Sequence, residues 1–190
     1  MTFAEAAEKV FDLAGITYSF GEHGVKTRHQ YRYPHPEQNE HKEQVYKYLQ
    51  SRKISPATAD YLDIRQDDEG NCVFNYYDTN DTLCMVKYRP SRKVKKGENK
   101  NWCQPGADTA PLLYNMNRVN TTQPLVITTG ELDTASLIEC GIQNAVSIPL
   151  GDQNLKFIEE NFEWLEQFNS IIVCHDNDES GMKFVKEATA

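Results

Sequence analysis

The sequence has 190 residues, of which 39% are hydrophobic and 25% charged, and its formal net charge is −8. This length accommodates one domain of ordinary size or two small ones. No apolar run approaches the roughly 20 residues that span a bilayer, and the N-terminus lacks the basic-then-apolar order of a signal peptide. These features predict a cytoplasmic protein with no membrane partner.

The cysteines and histidines do not form a recognisable metal or redox motif. No two cysteines have the CxxC spacing of a zinc ribbon or a thioredoxin-like site. Four histidines recur every six residues between His23 and His41, which fits no usual zinc pattern. The sequence therefore predicts no zinc and reduced thiols at Cys72, Cys84, Cys103, Cys140 and Cys174.

The N-terminal residues are predicted to begin with a helix over 2–14. Thr2 and Glu5 have the spacing of a capping box, and apolar residues recur on one face after them. Residues 16–20 and 30–34 have the composition of strands.

Two further helices are expected before the first clear strands. One begins after Asn39 and continues through QVYKYLQSR. The other follows Ser55, a favoured N-cap residue, with Pro56 at the first helical position.

Two apolar runs then predict a β-hairpin. They are residues 72–77 (CVFNYY) and 83–88 (LCMVKY), joined by the turn-rich sequence DTNDT. A loop of four or five residues suits a tight connection between antiparallel strands.

The second strand of this hairpin opens a basic segment, residues 85–102. It holds seven basic residues against the single acid Glu98, so its charge is +6 and the rest of the chain carries −8 minus +6, or −14. This pattern is typical either of a local anion-binding site or of a solvated, mobile loop. The basic residues are Lys87, Arg89, Arg92, Lys93, Lys95, Lys96 and Lys100.

From Gln123 onwards, apolar strands alternate with amphipathic helices. The order is LVITTG, DTASLIECG, NAVSIPLG, a helix over 153–168, SIIVCH and ESGMKFVKEA. Strand–helix alternation predicts βαβ units with a parallel sheet. We therefore expect an α/β fold with two parts, a mixed α+β subdomain over 1–122 with the basic hairpin and a parallel-sheet domain over 123–190.

Two of the predicted parallel strands end in paired acids, Glu131 with Asp133 and Asp176 with Asp178. Ligand sites in open parallel sheets form beyond the carboxyl ends of the strands. If the two strands are neighbours, four carboxylates face one crevice, where Mg²⁺ would relieve their repulsion. The alternative is that Asp133 and Asp178 act as helix N-caps.

The order of these motifs resembles a known family. GELD, followed about forty residues later by DNDESG, resembles the Toprim domain of primases, type IA and type II topoisomerases and related nucleases. Upstream, YLQSRKISPATADYLDI, the hairpin, KNWCQPG and LLYNMN resemble the RNA-polymerase region of bacteriophage replicative primase–helicases. The resemblance covers roughly residues 45 to 190, and it implies the cytoplasm of a host cell if a phage encodes the protein.

This resemblance implies a DNA primase, a nucleotidyltransferase that synthesises short RNA primers on single-stranded DNA during replication. It implies Mg²⁺ or Mn²⁺ as cofactor, ribonucleoside triphosphates as substrates, and a helicase domain or replicative helicase as partner. Asp176 and Asp178 would hold the metal with support from Glu131 and Asp133, and Glu131 would join the two aspartates in catalysis. The seven basic residues would contact nucleotide or nucleic acid, with Lys87, Arg89 and Lys100 foremost.

The sequence departs from the family at three points. Thr129 stands where the family places the first glutamate of its motif, and threonine cannot accept a proton at neutral pH. A cysteine-rich zinc module is lacking, and the sequence stops at Ala190, so we expect a piece of a longer protein. Two alternatives stay open: a Toprim nuclease, or a catalytically impaired module that binds single-stranded nucleic acid.

Overall fold

The computed structural model describes residues 41–95, 97–107, 109, 112–149 and 155–188. The helix predicted over 2–14 and the strands predicted over 16–20 and 30–34 lie outside these residues, as does Lys96.

Two short helices precede the first sheet, and both were predicted. Helix α1 (Glu43–Ser51) buries Val45 and Leu49. Helix α2 (Pro56–Tyr61) begins after Ser55, whose hydroxyl accepts a hydrogen bond from the Thr58 amide at 3.2 Å. Proline fits at the first helical position because the N–H group that it lacks would have no partner within the helix.

The first sheet is antiparallel and has four strands in the order β1-β2-β3-β4. These are β1 (Ile64–Gln66), β2 (Cys72–Tyr77), β3 (Leu83–Arg89) and β4 (Trp102–Cys103). The predicted hairpin is confirmed as β2 and β3. The two outer strands were not predicted, because three and two residues are too short to show a pattern.

Alternation along β3 sends neighbouring side chains to opposite faces of this sheet. Lys87 pairs in register with Phe74, and Tyr88 with Val73. The face that carries Phe74 packs on Tyr114, with ring centroids 5.7 Å apart. Lys87 therefore points into the molecule, and Tyr88 points away from that side.

The second sheet is parallel and has the order β6-β5-β7. Its strands are β5 (Leu125–Thr128), β6 (Ala145–Ser147) and β7 (Ile171–Val173). The parallel pairing of β5 with both neighbours confirms the predicted βαβ arrangement.

The helices of this part follow the prediction except in one place. They are α3 (Glu131–Glu139), α4 (Lys156–Glu160), α5 (Phe162–Leu165) and α6 (Glu179–Ala188). The single helix predicted over 153–168 is wrong, because the helix breaks at Asn161. The Asn161 side-chain amide donates to the Phe157 carbonyl at 2.8 Å, and such a bond competes with helical geometry.

One cluster of buried side chains runs through both parts of the described chain. Tyr114 contributes to it and donates a hydrogen bond to the Leu62 carbonyl at 3.0 Å. The two sheets fall on either side of residue 122, and the division into domains at that point stays a prediction. Among the described helices, each is too short or too polar to cross a membrane.

Candidate active site

Pairing of β5 with β7 brings two strand ends together. Leu125 lies opposite Ile171, and Ile127 lies opposite Val173, in parallel register. The residues that follow both strands therefore meet at one edge of the sheet, as expected for a ligand site.

Asp133 and Asp176 line the same cavity at this edge, which has a volume of about 220 Å³. Asp133 reaches solvent, yet its pKa is raised above the usual value. Burial is the largest cause, and the negative charges of Asp176 and Glu131 add to it. The other lining residues are Thr128, Ser136, Leu137, Cys174 and His175.

Gly130 gives the Asp133 carboxylate its space. Gly130 occupies the N-cap position of α3, so Asp133 is the third helical residue and not the cap that was considered as an alternative. A β-carbon at position 130 would lie 2.6 Å from Asp133 Oδ2, which is closer than atoms pack.

Asp178 caps helix α6, which is the alternative role proposed for it. Its Oδ1 accepts a hydrogen bond from the Gly181 amide at 2.8 Å. It does not belong to the lining of the cavity that Asp133 and Asp176 share. A role for Asp178 in holding metal stays a prediction.

The loop before α6 packs closely against the first turn of that helix. His175 Nδ1 lies 2.5 Å from the Asp176 carbonyl oxygen. A β-carbon at Gly181 would collide with both the His175 ring and that carbonyl. Gly181 thus lets the loop that carries Asp176 lie directly on the helix.

Glu131 points into the protein and is only 4% exposed. Lys87 Nζ donates to Glu131 Oε1 at 2.5 Å and to the Pro149 carbonyl at 2.7 Å, and the Tyr76 hydroxyl also donates to Glu131. Four carboxylates were expected to face one crevice, and the structure places only Asp133 and Asp176 together there. The hydrogen bonds of Glu131 and Lys87 thus lie within the protein, and the roles of both residues toward metal and nucleotide stay predictions.

A second, larger cleft of about 640 Å³ lies between α1 and the loop after β3. The Tyr48 hydroxyl accepts hydrogen bonds from Arg52 Nε at 3.0 Å and, at 3.4 Å, from Arg89 Nε. The charges of Arg52 and Arg89 act on Asp133 and oppose the rise of its pKa. Four cations line the cleft: Lys47, Arg52, Arg92 and Lys93.

Sequence reasoning missed Tyr48 and Arg52 because both precede the basic segment. Their spacing of four residues places them on one face of a helix, and this spacing was the available signal.

The other described cations of the basic segment, beyond Lys87 and Arg89, face solvent. Arg92 pairs with Glu98 at 2.7 Å, and both residues are exposed. Lys93, Lys95 and Lys100 are exposed as well. Exposed cations on one loop are available to a polyanion, and an exposed ion pair holds that loop only weakly.

The donors present suit a hard divalent cation. Within the described ranges, no three or more His, Cys, Asp or Glu side chains form a ready metal-binding group. Asp133 and Asp176 nevertheless supply carboxylate oxygens at one cavity, and a cation would relieve the repulsion that raises the pKa of Asp133. Mg²⁺ accepts such a sparse set because it keeps several waters and uses one or two carboxylates.

Comparison with known families fits this geometry. Residues 126–190 match a family described as Toprim-like. The chain carries a Toprim-like domain. This domain holds the β5 and β7 ends, Asp133 and Asp176. About three quarters of the chain resembles the primase region of bacteriophage primase–helicases.

The chain is similar to curated proteins of a bacteriophage and of a plant. It is 28% identical over 149 residues to the DNA helicase/primase of Enterobacteria phage T3, covering 75% of this chain and 25% of that protein. It is 25% identical over 163 residues to the Twinkle homolog protein, chloroplastic/mitochondrial, of Arabidopsis thaliana, and the match covers 76% of this chain and 22% of that protein. The chain thus spans about a quarter or less of these relatives.

A solved structure extends the likeness to the fold. The primase fragment of the bacteriophage T7 primase-helicase protein superposes with a TM-score of 0.62 and 29% identity. The match covers 73% of this chain and 58% of that fragment. The match extends beyond the Toprim-like domain, because residues 126–190 are too few to give this coverage.

Proposed function

We propose that the chain is the catalytic region of a DNA primase, which joins ribonucleotides into short primers on single-stranded DNA. The observation that carries this proposal is the meeting of Asp133 and Asp176 at the ends of β5 and β7. Arg52 and Arg89 stand close enough to act on Asp133, so the site combines acidic and basic groups.

This combination suits phosphoryl transfer. The primer 3′-hydroxyl attacks the α-phosphate of a ribonucleoside triphosphate, a new P–O bond forms, and pyrophosphate leaves. Asp133 and Asp176, with Asp178 and Glu131 as further candidates, would hold Mg²⁺ or Mn²⁺, which neutralises phosphate charge when bound.

The basic residues of the chain would orient the substrates. Arg52 and Arg89, aligned by the Tyr48 hydroxyl, offer guanidinium groups whose charges act on Asp133. Such groups bind phosphate oxygens in pairs and stabilise the charge that develops on them. The exposed lysines of the basic segment would contact the template backbone independently of its sequence.

A primer-synthesis assay tests the proposal. Labelled ribonucleotides are incubated with single-stranded DNA, a divalent metal and either the wild-type chain or Asp176→Ala. Primer formation by the wild type alone supports the primase. DNA cleavage without ribonucleotides, also lost in Asp176→Ala, would instead identify a Toprim nuclease.

Thr129 favours a second candidate, a module that binds single-stranded nucleic acid without catalysis. Thr129 follows β5 directly and supplies a hydroxyl where a carboxylate is expected from the family. Glu131 does not stand in for it structurally, because its carboxylate is held by Lys87 and Tyr76. Binding of DNA with neither synthesis nor cleavage identifies this module, and synthesis restored by Thr129→Glu would locate the defect.

A further inference from the structure

Tyr88 and Trp102 form a stacked aromatic pair at the edge of the antiparallel sheet. Their ring centroids are 5.6 Å apart and the planes differ by only 7°. The two residues lie directly opposite each other on β3 and β4. Trp102 is 38% exposed, although most large aromatic side chains of the described chain are buried or half-buried.

The pair closes the base of the basic loop. β3 ends at Arg89 and β4 begins at Trp102, so the intervening residues form the loop between the two stacked residues. Four of its described cations are exposed, namely Arg92, Lys93, Lys95 and Lys100. An exposed indole beside such a cluster combines the two features that hold single-stranded nucleic acids, a stacking surface and cations for the backbone.

We propose that Tyr88 and Trp102 form a stacking platform for an unpaired base of a single-stranded DNA template. The inference rests on the proposed function, because it takes single-stranded DNA as the ligand. It adds a contact to the bases, whereas the cations contact only phosphates. Every base has a π-face, so the platform binds without sequence preference.

The location of the platform favours a base of the template strand as its ligand, and not the base of the reacting nucleotide. Lys87 and Tyr88 are neighbours on β3 and point to opposite faces of the sheet. Lys87 reaches Glu131 on the side of the Toprim-like domain, so Tyr88 and Trp102 lie on the face away from it. A nucleotide at Asp133 and Asp176 would not reach this platform, whereas a strand that passes over the basic loop would.

Fluorescence of Trp102 tests the platform directly. The chain has two tryptophans, so Trp164→Phe leaves Trp102 as the only indole. The probes are an oligothymidylate and a strand of equal length in which every base is replaced by an abasic tetrahydrofuran. We expect the base-bearing strand to quench Trp102 fluorescence and the abasic strand, with the same phosphates, to quench it little.

Affinities measured by anisotropy with labelled strands complete the test. Trp102→Ala should weaken binding of the base-bearing strand roughly 5- to 100-fold and change binding of the abasic strand less than about twofold. Trp102→Phe, which keeps an aromatic ring on β4, should retain most of the affinity. Thermal melting of each variant identifies any loss of folding.

The outcomes separate this inference from the proposed function. Equal losses for both strands in Trp102→Ala, or no loss for either, overturn the platform but leave DNA binding intact. Failure of the wild-type chain to bind either strand overturns both proposals. A loss confined to the base-bearing strand, with Trp102→Phe close to wild type, establishes stacking.

Discussion

Asp133 sits where burial and a neighbouring negative charge both oppose its ionisation. Folding therefore raises its pKa above the ordinary value of 3.8, chiefly through desolvation and then through Asp176. A raised carboxyl pKa means that the folded chain holds this proton more tightly than the unfolded chain. Stability from this group is thus greatest below the ordinary pKa and falls as the pH rises through the raised pKa.

Asp133→Asn should consequently stabilise the chain at pH 7 in the absence of metal. Because Asp133 reaches solvent, screening keeps the gain in unfolding free energy below about 1 kcal/mol. The gain should vanish below the ordinary pKa of 3.8, where Asp133 is protonated in both states. Urea denaturation at several pH values measures it, and an unchanged difference across the range would contradict the assignment.

The same residue should control the response to divalent metal. MgCl₂ should raise the melting temperature of the wild-type chain, because a ligand that binds only the folded state stabilises it. Asp133→Asn and Asp176→Asn should each lose most of this rise. Glu163→Gln, on the exposed side of α5, is the control and should respond as the wild type does.

At the level of residues, the sequence predicted that acids would meet at one edge of the parallel sheet, but not which of them would share a cavity. Asp133 and Asp176 could be predicted because ligand sites in parallel sheets form beyond the carboxyl ends of the strands, and both residues follow such an end. Glu131 was grouped with Asp133 because the two lie only two positions apart in the motif. Since α3 begins at Glu131, the two side chains point about 200° apart around the helix, and Glu131 enters the core.

The buried pair of Lys87 and Glu131 connects β3 of the antiparallel sheet to the start of α3. Lys87→Met should destabilise the chain by about 3–5 kcal/mol, because it leaves the Glu131 carboxylate buried without its cation. The double variant with Glu131→Gln should recover much of that loss, since neither charge then remains.

Urea denaturation of the two single variants and the double variant measures this coupling. Lys95→Met is the matched control, because Lys95 is exposed and its loss should change stability little. Additive losses in the double variant would show that Lys87 and Glu131 do not act as a pair.

Substitution of the two glycines that flank α3 should distinguish the stabilisation by Mg²⁺ from the stability of the metal-free chain. Gly130 has an extended backbone, so Gly130→Ala should change stability by less than about 1 kcal/mol, but its methyl group displaces the Asp133 carboxylate. Gly141 has a φ of 91° and open space around it, so Gly141→Ala should lose about 1 kcal/mol through backbone strain.

Melting curves with and without MgCl₂ distinguish the two variants. Gly130→Ala should lose the stabilisation by Mg²⁺, whereas Gly141→Ala should melt lower and still respond. A full Mg²⁺ response in Gly130→Ala would show that the position of Asp133 is unimportant for metal.

The elements that sequence reasoning missed are those too short to carry a period. β1 and β4 pair only because the hairpin between them offers two free edges, and pairing across a sheet is not encoded within three residues. The break at Asn161 was hidden because acids and aromatics continue on both sides of it. Helices with clear capping residues, such as α2 after Ser55 and α6 after Asp178, were predicted well because the signal for their start is local in the sequence.

Positive charge is concentrated in one segment of the sequence, and the rest of the chain is acidic. Residues 85–102 carry +6 while the remaining residues carry −14. The acidic body repels nucleic acid, so binding has to concentrate on the basic loop and the adjacent cleft. A polyanion is thereby directed to one surface, and its affinity should depend strongly on salt.

Neutralising two exposed lysines of the basic loop should therefore lower the salt dependence of DNA binding by a defined amount. Each phosphate contact to a single strand contributes about 0.7 to the slope of log K against log salt. Lys93→Gln with Lys95→Gln should reduce the slope by about 1.4. Lys156→Gln with Lys186→Gln, which removes two charges from α4 and α6, should leave it nearly unchanged. Anisotropy titrations of an oligothymidylate at several salt concentrations give both slopes, and equal reductions in the two variants would mean that total charge, not the basic loop, determines binding.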